Sequence, residues 1–110
     1  MNDVDPQMLK GLVTLLLLHL VAEREDYGYA LVVRLREAGF GEMAEGTVYP
    51  ALARCEQAHW VDSYLVPSEK GPARKLYRIT SAGRAELERT SAAWSHLTGL
   101  VAMLLKEETS

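Results

Sequence analysis

The chain has 110 residues, 48% of them hydrophobic and 25% charged, which is the ordinary balance of one globular domain. Lys and Arg number 12 against 15 Asp and Glu, so the formal net charge of -3 excludes a basic coat over the whole surface. The single cysteine, Cys55, excludes an internal disulfide and a cysteine-based metal site, as is typical of a reducing cytosol. The most apolar stretch, residues 9–22, is too short to cross a bilayer. We therefore expect a cytoplasmic protein without a membrane partner.

The first third of the chain predicts two helices. A leucine-rich run from Met8 to about Glu23 leaves little polar face, as expected of a helix that the rest of the domain surrounds. His19, within this run, is expected to be a core histidine with its hydrogen bonds satisfied. A second helix follows Tyr27-Gly28-Tyr29 and ends at Gly39, because glycine favours the position just after a helix C-terminus.

A third helix with two dissimilar faces is predicted from Thr47 onward. Thr47 suits the N-cap, and Pro50 would then occupy the third helical position, where its missing N–H costs nothing. The residues that fall on one narrow arc at about 100° per residue are Val48, Ala51, Leu52 and Cys55. Those on the opposite arc are Tyr49, Pro50, Ala53, Arg54 and Gln57. We expect the first arc in the core and the second at the surface.

The second half of the chain predicts a β-hairpin and a long helix. Residues 60–66 are rich in β-forming and aromatic side chains, residues 67–73 in turn formers, and residues 74–80 form the return strand. Thr80 or Ser81 is expected to cap a last helix that continues to about Leu105. The predicted fold class is therefore mainly α with a small β-hairpin, in the order of a winged helix-turn-helix with a long C-terminal helix.

Several motifs, taken in order, resemble the PadR-type transcriptional regulators. Met-Leu-Lys-Gly at residues 8–11 leads into the leucine-rich helix, and Tyr-Gly-Tyr follows it at residues 27–29. Glu-Gly-Thr-Val-Tyr-Pro-Ala-Leu at residues 45–52 resembles the family signature on its recognition helix. Residues 71–84 are similar to its wing and to the start of its last helix. The resemblance extends over roughly residues 8–105.

This resemblance implies a homodimeric repressor of the short subfamily, with a winged-helix DNA-binding domain in residues 1–80 and a single dimerisation helix in residues 81–110, packed as one compact unit. Some members of that subfamily bind flat aromatic compounds between the subunits, beside a tryptophan of the last helix, and Trp94 stands at the matching place. The family usually has glycine after the recognition helix, where this chain has His59. Because histidine tolerates a positive φ, we expect the turn to persist.

The outward face of the third helix is expected to enter the DNA major groove. Tyr49 can donate a hydrogen bond to a phosphate or a base, and Arg54 can pair with a phosphate or with guanine. Thr47 and the free N–H groups at the helix start would hold a phosphate. The alternative is a solvated helix face with Tyr49 half-buried in the core. The predicted DNA-contacting residues are Lys10, Thr47, Tyr49, Pro50, Arg54, Gln57, Lys70, Arg74 and Lys75.

The hairpin carries the clearest concentration of positive charge in the sequence. Residues 70–78 contain no acid and include Lys70, Arg74, Lys75 and Arg78. In a chain of net charge -3, contact with phosphate would concentrate there. The alternative is that basic residues protect an edge strand against aggregation, which explains a basic turn less well.

The last helix carries a heptad pattern. Alternating spacings of three and four separate Leu87, Thr90, Trp94, Leu97, Val101 and Leu104. A helix of this length overhangs a core of three short helices, so we predict that Leu87, Leu97, Val101 and Leu104 pair with a second copy. Packing on the first helix of the same chain is the alternative. Trp94 offers a flat face to an aromatic effector, although a tryptophan there also serves as core.

No grouping of catalytic residues, phosphate-binding loop or metal-ligand spacing occurs in the sequence, so we predict neither an enzyme nor a cofactor or metal site. The main hypothesis is a homodimeric repressor that binds a near-palindromic operator in double-stranded DNA and is released by a small aromatic effector. The first alternative is a ligand- or protein-binding module with a winged-helix fold that does not bind DNA. The second is a protein-interaction adaptor that docks through the same fold.

Overall fold

The computed structural model describes residues 4–41 and 43–107, and of Glu107 it describes the backbone. Its elements are α1 (Pro6–Leu9), α2 (Val13–Glu23), β1 (Asp26–Tyr27), α3 (Gly28–Glu37), α4 (Glu45–Gln57), β2 (Val61–Val66), β3 (Arg74–Ile79) and α5 (Ser81–Glu107). The fold is the predicted mainly helical one. The expected hairpin is formed by β2 and β3, and the expected long helix is α5.

The predicted first helix consists of two helices. Residues 10–12 form a turn between α1 and α2, closed by a 2.8 Å hydrogen bond from the Leu12 amide to the Leu9 carbonyl. Gly11 lowers the helical propensity at this place. The residues that α2 buries are Val13, Leu17, Leu18 and Val21. Together with α3 and α4, this face of α2 forms the centre of the core.

His19 lies on the solvent side of α2, so its prediction as a core histidine was wrong. Val13, Leu17 and Val21 share the buried face at spacings of four, whereas His19 lies round the opposite side of the helix. Its side chain is 61% exposed, and its Nε2 atom lies 3.5 Å from a carboxylate oxygen of Glu23. An exposed pair of this kind contributes little to stability.

The end of α3 confirms the predicted role of Gly39. This glycine has a φ of 116°, and its amide donates to the Arg36 carbonyl at 3.2 Å. The amide of Phe40 donates to the Leu35 carbonyl at 3.0 Å. These two bonds satisfy carbonyls in the last turn of the helix, as is common where a glycine follows a helix C-terminus.

Arg34 joins α3 to α2 and to β1. Its guanidinium donates to the carboxylates of Asp26 and Glu23, each at 3.1 Å, and to the Leu20 carbonyl at 3.0 Å. The side chains of Arg34 and Asp26 are only 11% and 16% exposed. Strand β1 was not predicted from the sequence, because a strand of two residues has no detectable period.

The start of α4 lies before Thr47, so the prediction of Thr47 as the N-cap was wrong. Ala44 precedes the helix with an extended backbone, and its carbonyl accepts from the amides of Thr47 at 3.0 Å and Val48 at 3.1 Å. Those two backbone bonds close the first turn without any side-chain cap. Pro50 therefore lies inside the helix and not in its first turn. Because proline has no amide hydrogen, one carbonyl of the helix lacks its usual hydrogen-bond partner.

Three antiparallel strands form one sheet in the order β1-β3-β2. Tyr77 of β3 is paired with Asp26 on one side and with Ser63 on the other. Tyr77 and Val61 are buried and extend the helical core beneath the sheet. His59 connects α4 to the hairpin at a φ of 63°, which confirms the expected positive φ.

The long helix α5 begins where it was predicted to begin. The Oγ1 atom of Thr80 accepts from the Gly83 amide at 3.0 Å, which caps the helix. The first half of α5 packs on α2, whereas residues 99–106 are exposed. The longest dimension of the described chain is 61 Å. In the part of the chain that the structure describes, no helix has the length and apolar character needed to cross a membrane.

Candidate nucleic-acid interface

The two faces of α4 have the burial predicted from the sequence. Its apolar arc, Val48, Ala51, Leu52 and Cys55, is completely buried. Burial raises the pKa of the Cys55 thiol to about 11, so this thiol stays neutral and acts as a small core residue. The outward residues Tyr49, Pro50, Ala53, Arg54 and Gln57 are all exposed. This outward surface of α4 is the candidate nucleic-acid interface.

Tyr49 leans toward the sheet side of α4 and is 39% exposed. Its ring lies against Gly28 at the start of α3, where a larger residue would collide with it. Partial burial, and next the nearby Glu45 carboxylate, raise the pKa of the Tyr49 phenol. The phenol therefore keeps its proton at neutral pH and can donate a hydrogen bond to an anion.

A concavity of about 300 Å³ lies beside Tyr49, between α3, α4 and strand β3 of the β2–β3 hairpin, which we call the wing. Its lining consists of Tyr27, Gly28, Tyr29, Tyr49, Arg74, Lys75 and Tyr77. The Arg74 guanidinium lies 3.8 Å from the centroid of the Tyr27 ring, and Lys75 Nζ lies 5.4 Å from that of Tyr77. We call this region the tyrosine concavity. Tyr49, Arg74 and Lys75 were predicted from the sequence. Tyr27, Tyr29 and Tyr77 were not, although Tyr27 and Tyr29 belong to the Tyr-Gly-Tyr motif.

Glu56 connects α4 to the wing. One of its carboxylate oxygens accepts from Lys75 Nζ at 3.0 Å, and the other accepts from Ser63 Oγ at 2.6 Å. The hydrogen bond from Ser63, and next that from Lys75, lowers the pKa of Glu56, and the bond to Glu56 raises the pKa of Lys75. Lys75 is thus an ion-paired cation. Lys70 is exposed and forms no ion pair with the described residues.

A second concavity, of about 340 Å³, lies on the other side of α4, toward α1. It brings together four predicted DNA-contacting residues, one from the turn after α1 and three from α4: Lys10, Thr47, Pro50 and Arg54. Lys10 and Arg54 form no ion pair with any residue that the structure describes. We call this region the basic concavity after these two cations, although most of its other lining residues are apolar. Gln57 remains outside both concavities, exposed on the outward face of α4.

The heptad residues of α5 divide between the core and the solvent. Leu87 packs against the core of its own chain. Further along the helix, Trp94 is 41% exposed, and the other exposed members are Leu97, Val101 and Leu104. A concavity of about 630 Å³ lies beside Trp94, with Leu15, Trp60 and Leu97 among its walls.

Within residues 4–41 and 43–107, no group of three His, Cys, Asp or Glu side chains could hold a metal ion.

The exposed helix α4 beside a basic hairpin, on a core of short helices, defines the winged helix-turn-helix class. Within this class, the chain belongs to the Transcriptional regulator PadR-like family, whose sequence profile matches residues 17–89. The resemblance found in the sequence motifs is thereby confirmed. Members of this family are regulators of transcription and not enzymes.

Several relatives support this assignment. The chain is 36% identical to the Transcriptional regulator Rv3488 of Mycobacterium tuberculosis over 91 residues, which cover 80% of each chain. Among solved structures, it is similar to a PadR-like transcriptional regulator of Bacillus cereus, at 36% identity and a TM-score of 0.79, covering 90% of this chain and 96% of that one. It is also similar to a PadR family transcriptional regulator of Eggerthella lenta, at 31% identity and a TM-score of 0.83, covering 90% and 86%.

Proposed function

We propose that this PadR-like regulator binds operator DNA as a homodimer, represses transcription, and is released from DNA by a small aromatic effector. One observation carries the proposal: the exposed face of α4 is bordered by Lys10, Arg54 and Arg74, which come from three separate parts of a chain with net charge -3. The major groove is about 12 Å wide and accepts an α-helix. Cations at the borders of that helix would meet the phosphates that line the groove.

The exposed half of α5 supports pairing of two copies. Trp94, Leu97, Val101 and Leu104 form an apolar surface along this half, and a contiguous apolar surface of this kind is typical of a protein interface. Two α4 helices related by a two-fold axis would enter the major groove about one helical turn apart, roughly 34 Å. A near-palindromic operator follows from that symmetry.

The concavity beside Trp94 supports a flat aromatic effector. Its walls combine two indole rings, those of Trp60 and Trp94, with the aliphatic side chains of Leu15 and Leu97. Aromatic rings stack favourably on such surfaces. Because the concavity adjoins the apolar surface of α5, an effector that prefers one arrangement of the two subunits would shift the dimer away from its DNA-binding form.

The test is an electrophoretic mobility shift and fluorescence anisotropy titration with the DNA upstream of the protein's own gene and of neighbouring genes. We expect specific binding that weakens with salt, and weaker binding for folded Tyr49→Ala and Lys70→Ala variants. A reporter driven by the bound promoter should be expressed more strongly when the protein is removed. Absence of specific binding at every salt concentration would contradict the proposal. A regulator of this kind acts on chromosomal DNA, so we propose a cytoplasmic location.

A ligand- or protein-binding module that does not bind DNA is the second candidate. It is favoured by the two carboxylates on the wing side of α4, Glu45 and Glu56, and by the ion pair that occupies Lys75. A change in tryptophan fluorescence on adding aromatic ligands, without affinity for any promoter, would support this candidate. Isolation of a stable heteromer in preference to the homodimer would instead support an adaptor.

A further inference from the structure

The side chains of α4 that border its outward face diverge in two directions. At about 100° per residue, Tyr49 and Arg54 lie roughly 140° apart around the helix axis. Tyr49 lines the tyrosine concavity on the wing side, and Arg54 lines the basic concavity on the α1 side. Glu56 lies on the same flank of α4 as Tyr49, and it contacts Ser63 and Lys75 of the wing. These contacts are independent evidence that this flank of α4 faces the wing.

We propose that α4 is held between two backbone phosphates on opposite walls of the major groove, with Tyr49 donating to one and Arg54 pairing with the other, so that Ala53 and Gln57 between them contact the base edges. This inference rests on the proposed DNA-binding function. It assigns Tyr49 and Arg54 to positioning on the backbone, and Ala53 and Gln57 to recognition of the sequence.

On the wing side, the phosphate would be held by the neutral phenol of Tyr49 together with the guanidinium of Arg74, which lines the same concavity. The Tyr49 phenol stays protonated, and the Tyr29 ring shares the same concavity. Glu56 already pairs with Lys75, and the carboxylate of Glu45 lies near Tyr49, so the acids on this flank offset much of the local positive charge. A contact made by a phenol should therefore add affinity with little dependence on salt.

On the α1 side, the phosphate would be held by charge. Lys10 and Arg54 share the basic concavity with Thr47, and neither cation is paired with another residue in the described part of the chain. Binding a phosphate here would release counterions from the DNA. Tyr49 and Arg54 thus differ in a property that can be measured, which is how far loss of the side chain changes the salt dependence of DNA affinity.

The central outward residues decide the chemistry of recognition. Ala53 and Gln57 project close to the bisector of Tyr49 and Arg54. The amide of Gln57 has no hydrogen-bond partner among the described residues and can form the paired hydrogen bonds that glutamine makes with adenine. The methyl group of Ala53 suits contact with a thymine methyl group. We therefore expect an A·T pair beneath Gln57 in each half-site.

The experiment uses the full chain and its specific operator, with affinities measured over a range of salt for four variants. Tyr49→Phe should weaken binding at least tenfold without changing the slope of log affinity against log salt. Arg54→Met should lower that slope by about 2 for the dimer, because roughly 0.9 is lost for each phosphate contact. When operators with single base changes are ranked by affinity, neither variant should change the order. The unaltered protein should prefer one base pair in each half-site by about tenfold or more in affinity, and Gln57→Ala should abolish this preference.

The fourth variant, Lys106→Met, removes one positive charge at the far end of α5 and should leave the slope and the ranking unchanged. Methylphosphonate replacement of single phosphates should identify one position, on one strand, at which Tyr49→Phe has no further effect. The matching position for Arg54→Met should lie on the other strand. A changed operator ranking for Tyr49→Phe or Arg54→Met, or an intact preference for Gln57→Ala, would overturn the assignment. Failure of the unaltered protein to bind any operator would instead contradict the proposed function itself.

Discussion

The ring of Tyr49 on α4 lies directly over the backbone of Gly28 at the start of α3. A Cβ atom at position 28 would stand 2.6 Å from the Cε1 atom of Tyr49 and 3.4 Å from its Cζ atom. The glycine is required by this close approach, since its own backbone does not adopt a positive φ. The contact sets the direction of the Tyr49 phenol, toward the wing residues Arg74 and Lys75.

Gly28→Ala should therefore weaken DNA binding more than it weakens the fold. The added methyl group displaces the ring of Tyr49, which is half-exposed and can move outward. We expect the free energy of unfolding to change by less than about 1 kcal/mol, because alanine also favours the helix. DNA affinity should fall about tenfold, as for loss of a hydrogen bond to a charged group. Anisotropy titrations and thermal melts measure the two quantities.

A double-mutant cycle provides the control for this prediction. If Gly28 acts through the ring of Tyr49, then Gly28→Ala should have no further effect on affinity in a Tyr49→Ala background. Additive losses in the double variant would show that the glycine serves DNA binding in some other way.

The bond between Glu56 and Lys75 should stabilise the fold modestly within a defined pH range. The pKa of Glu56 is lowered in the folded state, so its contribution is present above the ordinary glutamate pKa, about 4.3, and is lost as the pH falls through the lowered value. The pKa of Lys75 is raised, so its contribution is lost only in strong alkali. Glu56→Gln should lower the free energy of unfolding by about 0.5 kcal/mol near pH 7, as for a half-exposed pair.

Urea denaturation of this variant and of the unaltered protein at several pH values tests the linkage. The difference between the two proteins should shrink toward zero below about pH 4. A difference that stays constant down to pH 3 would contradict the assignment of the effect to the carboxylate. Glu88→Gln, on the exposed surface of α5, is the matched control and should have little effect at any of these pH values.

Gly83→Ala should be strongly destabilising. A Cβ atom at position 83 would lie 2.0 Å from the Trp60 carbonyl oxygen and 2.8 Å from Cγ1 of Ile79. The Trp60 carbonyl also accepts from the Thr80 amide at 3.0 Å, so the start of α5 cannot move away without breaking that bond. We expect a loss of about 3 kcal/mol in the free energy of unfolding, at the upper end for overpacking.

Gly99→Ala is the control for Gly83→Ala, because both glycines lie in α5 and nothing lies within 4 Å of a Cβ at position 99. This substitution should stabilise the helix by about 0.5–1 kcal/mol. Chemical denaturation of the two variants side by side measures both effects. Equal stabilities would contradict the close packing of Gly83 under Trp60.

Leu104→Glu should dissociate the proposed dimer without unfolding the subunit. Leu104 is 65% exposed in the single chain, so a glutamate is tolerated there until a second copy covers it. Each dimer would bury two uncompensated carboxylates, which should raise the dimer dissociation constant at least about 100-fold. Sedimentation velocity measures the change. Ala92→Glu, on the opposite side of α5, should leave the dimer intact, and a monomeric unaltered protein would contradict pairing through α5.

Trp94→Ala should remove affinity for flat aromatic ligands. Trp60 lines the same concavity and remains in the variant, so its fluorescence still reports on binding. Loss of one stacking face should weaken binding about tenfold or more. Unchanged affinity of the variant for every ligand that the unaltered protein binds would exclude Trp94 from the effector site. His96→Ala, on another face of α5, is the control and should bind normally.

Much of the fold could be predicted because it depends on local patterns. The buried arc of α4, the glycine end of α3, the hairpin and the Thr80 cap each follow from residues close together in the chain. The start of α4 could not be predicted in this way, whereas the exposure of His19 follows from its helical spacing and was missed. Ala44 carries no side chain that marks a helix start, and the polarity of His19 was outweighed by the leucines around it. Met43, in the expected loop, is buried because the loop folds back over the core.

The sequence by itself determined the class of protein, the two faces of α4 and the positions of most of the cations, since helical periodicity and charge are properties of neighbouring residues. Only the tertiary structure decided how those residues are grouped. It placed Lys10 beside Arg54, paired Lys75 with Glu56, and set Tyr49 against Gly28. Each of these contacts joins segments that are distant in the chain, and their proximity depends on how the helices and the sheet pack over a shared core.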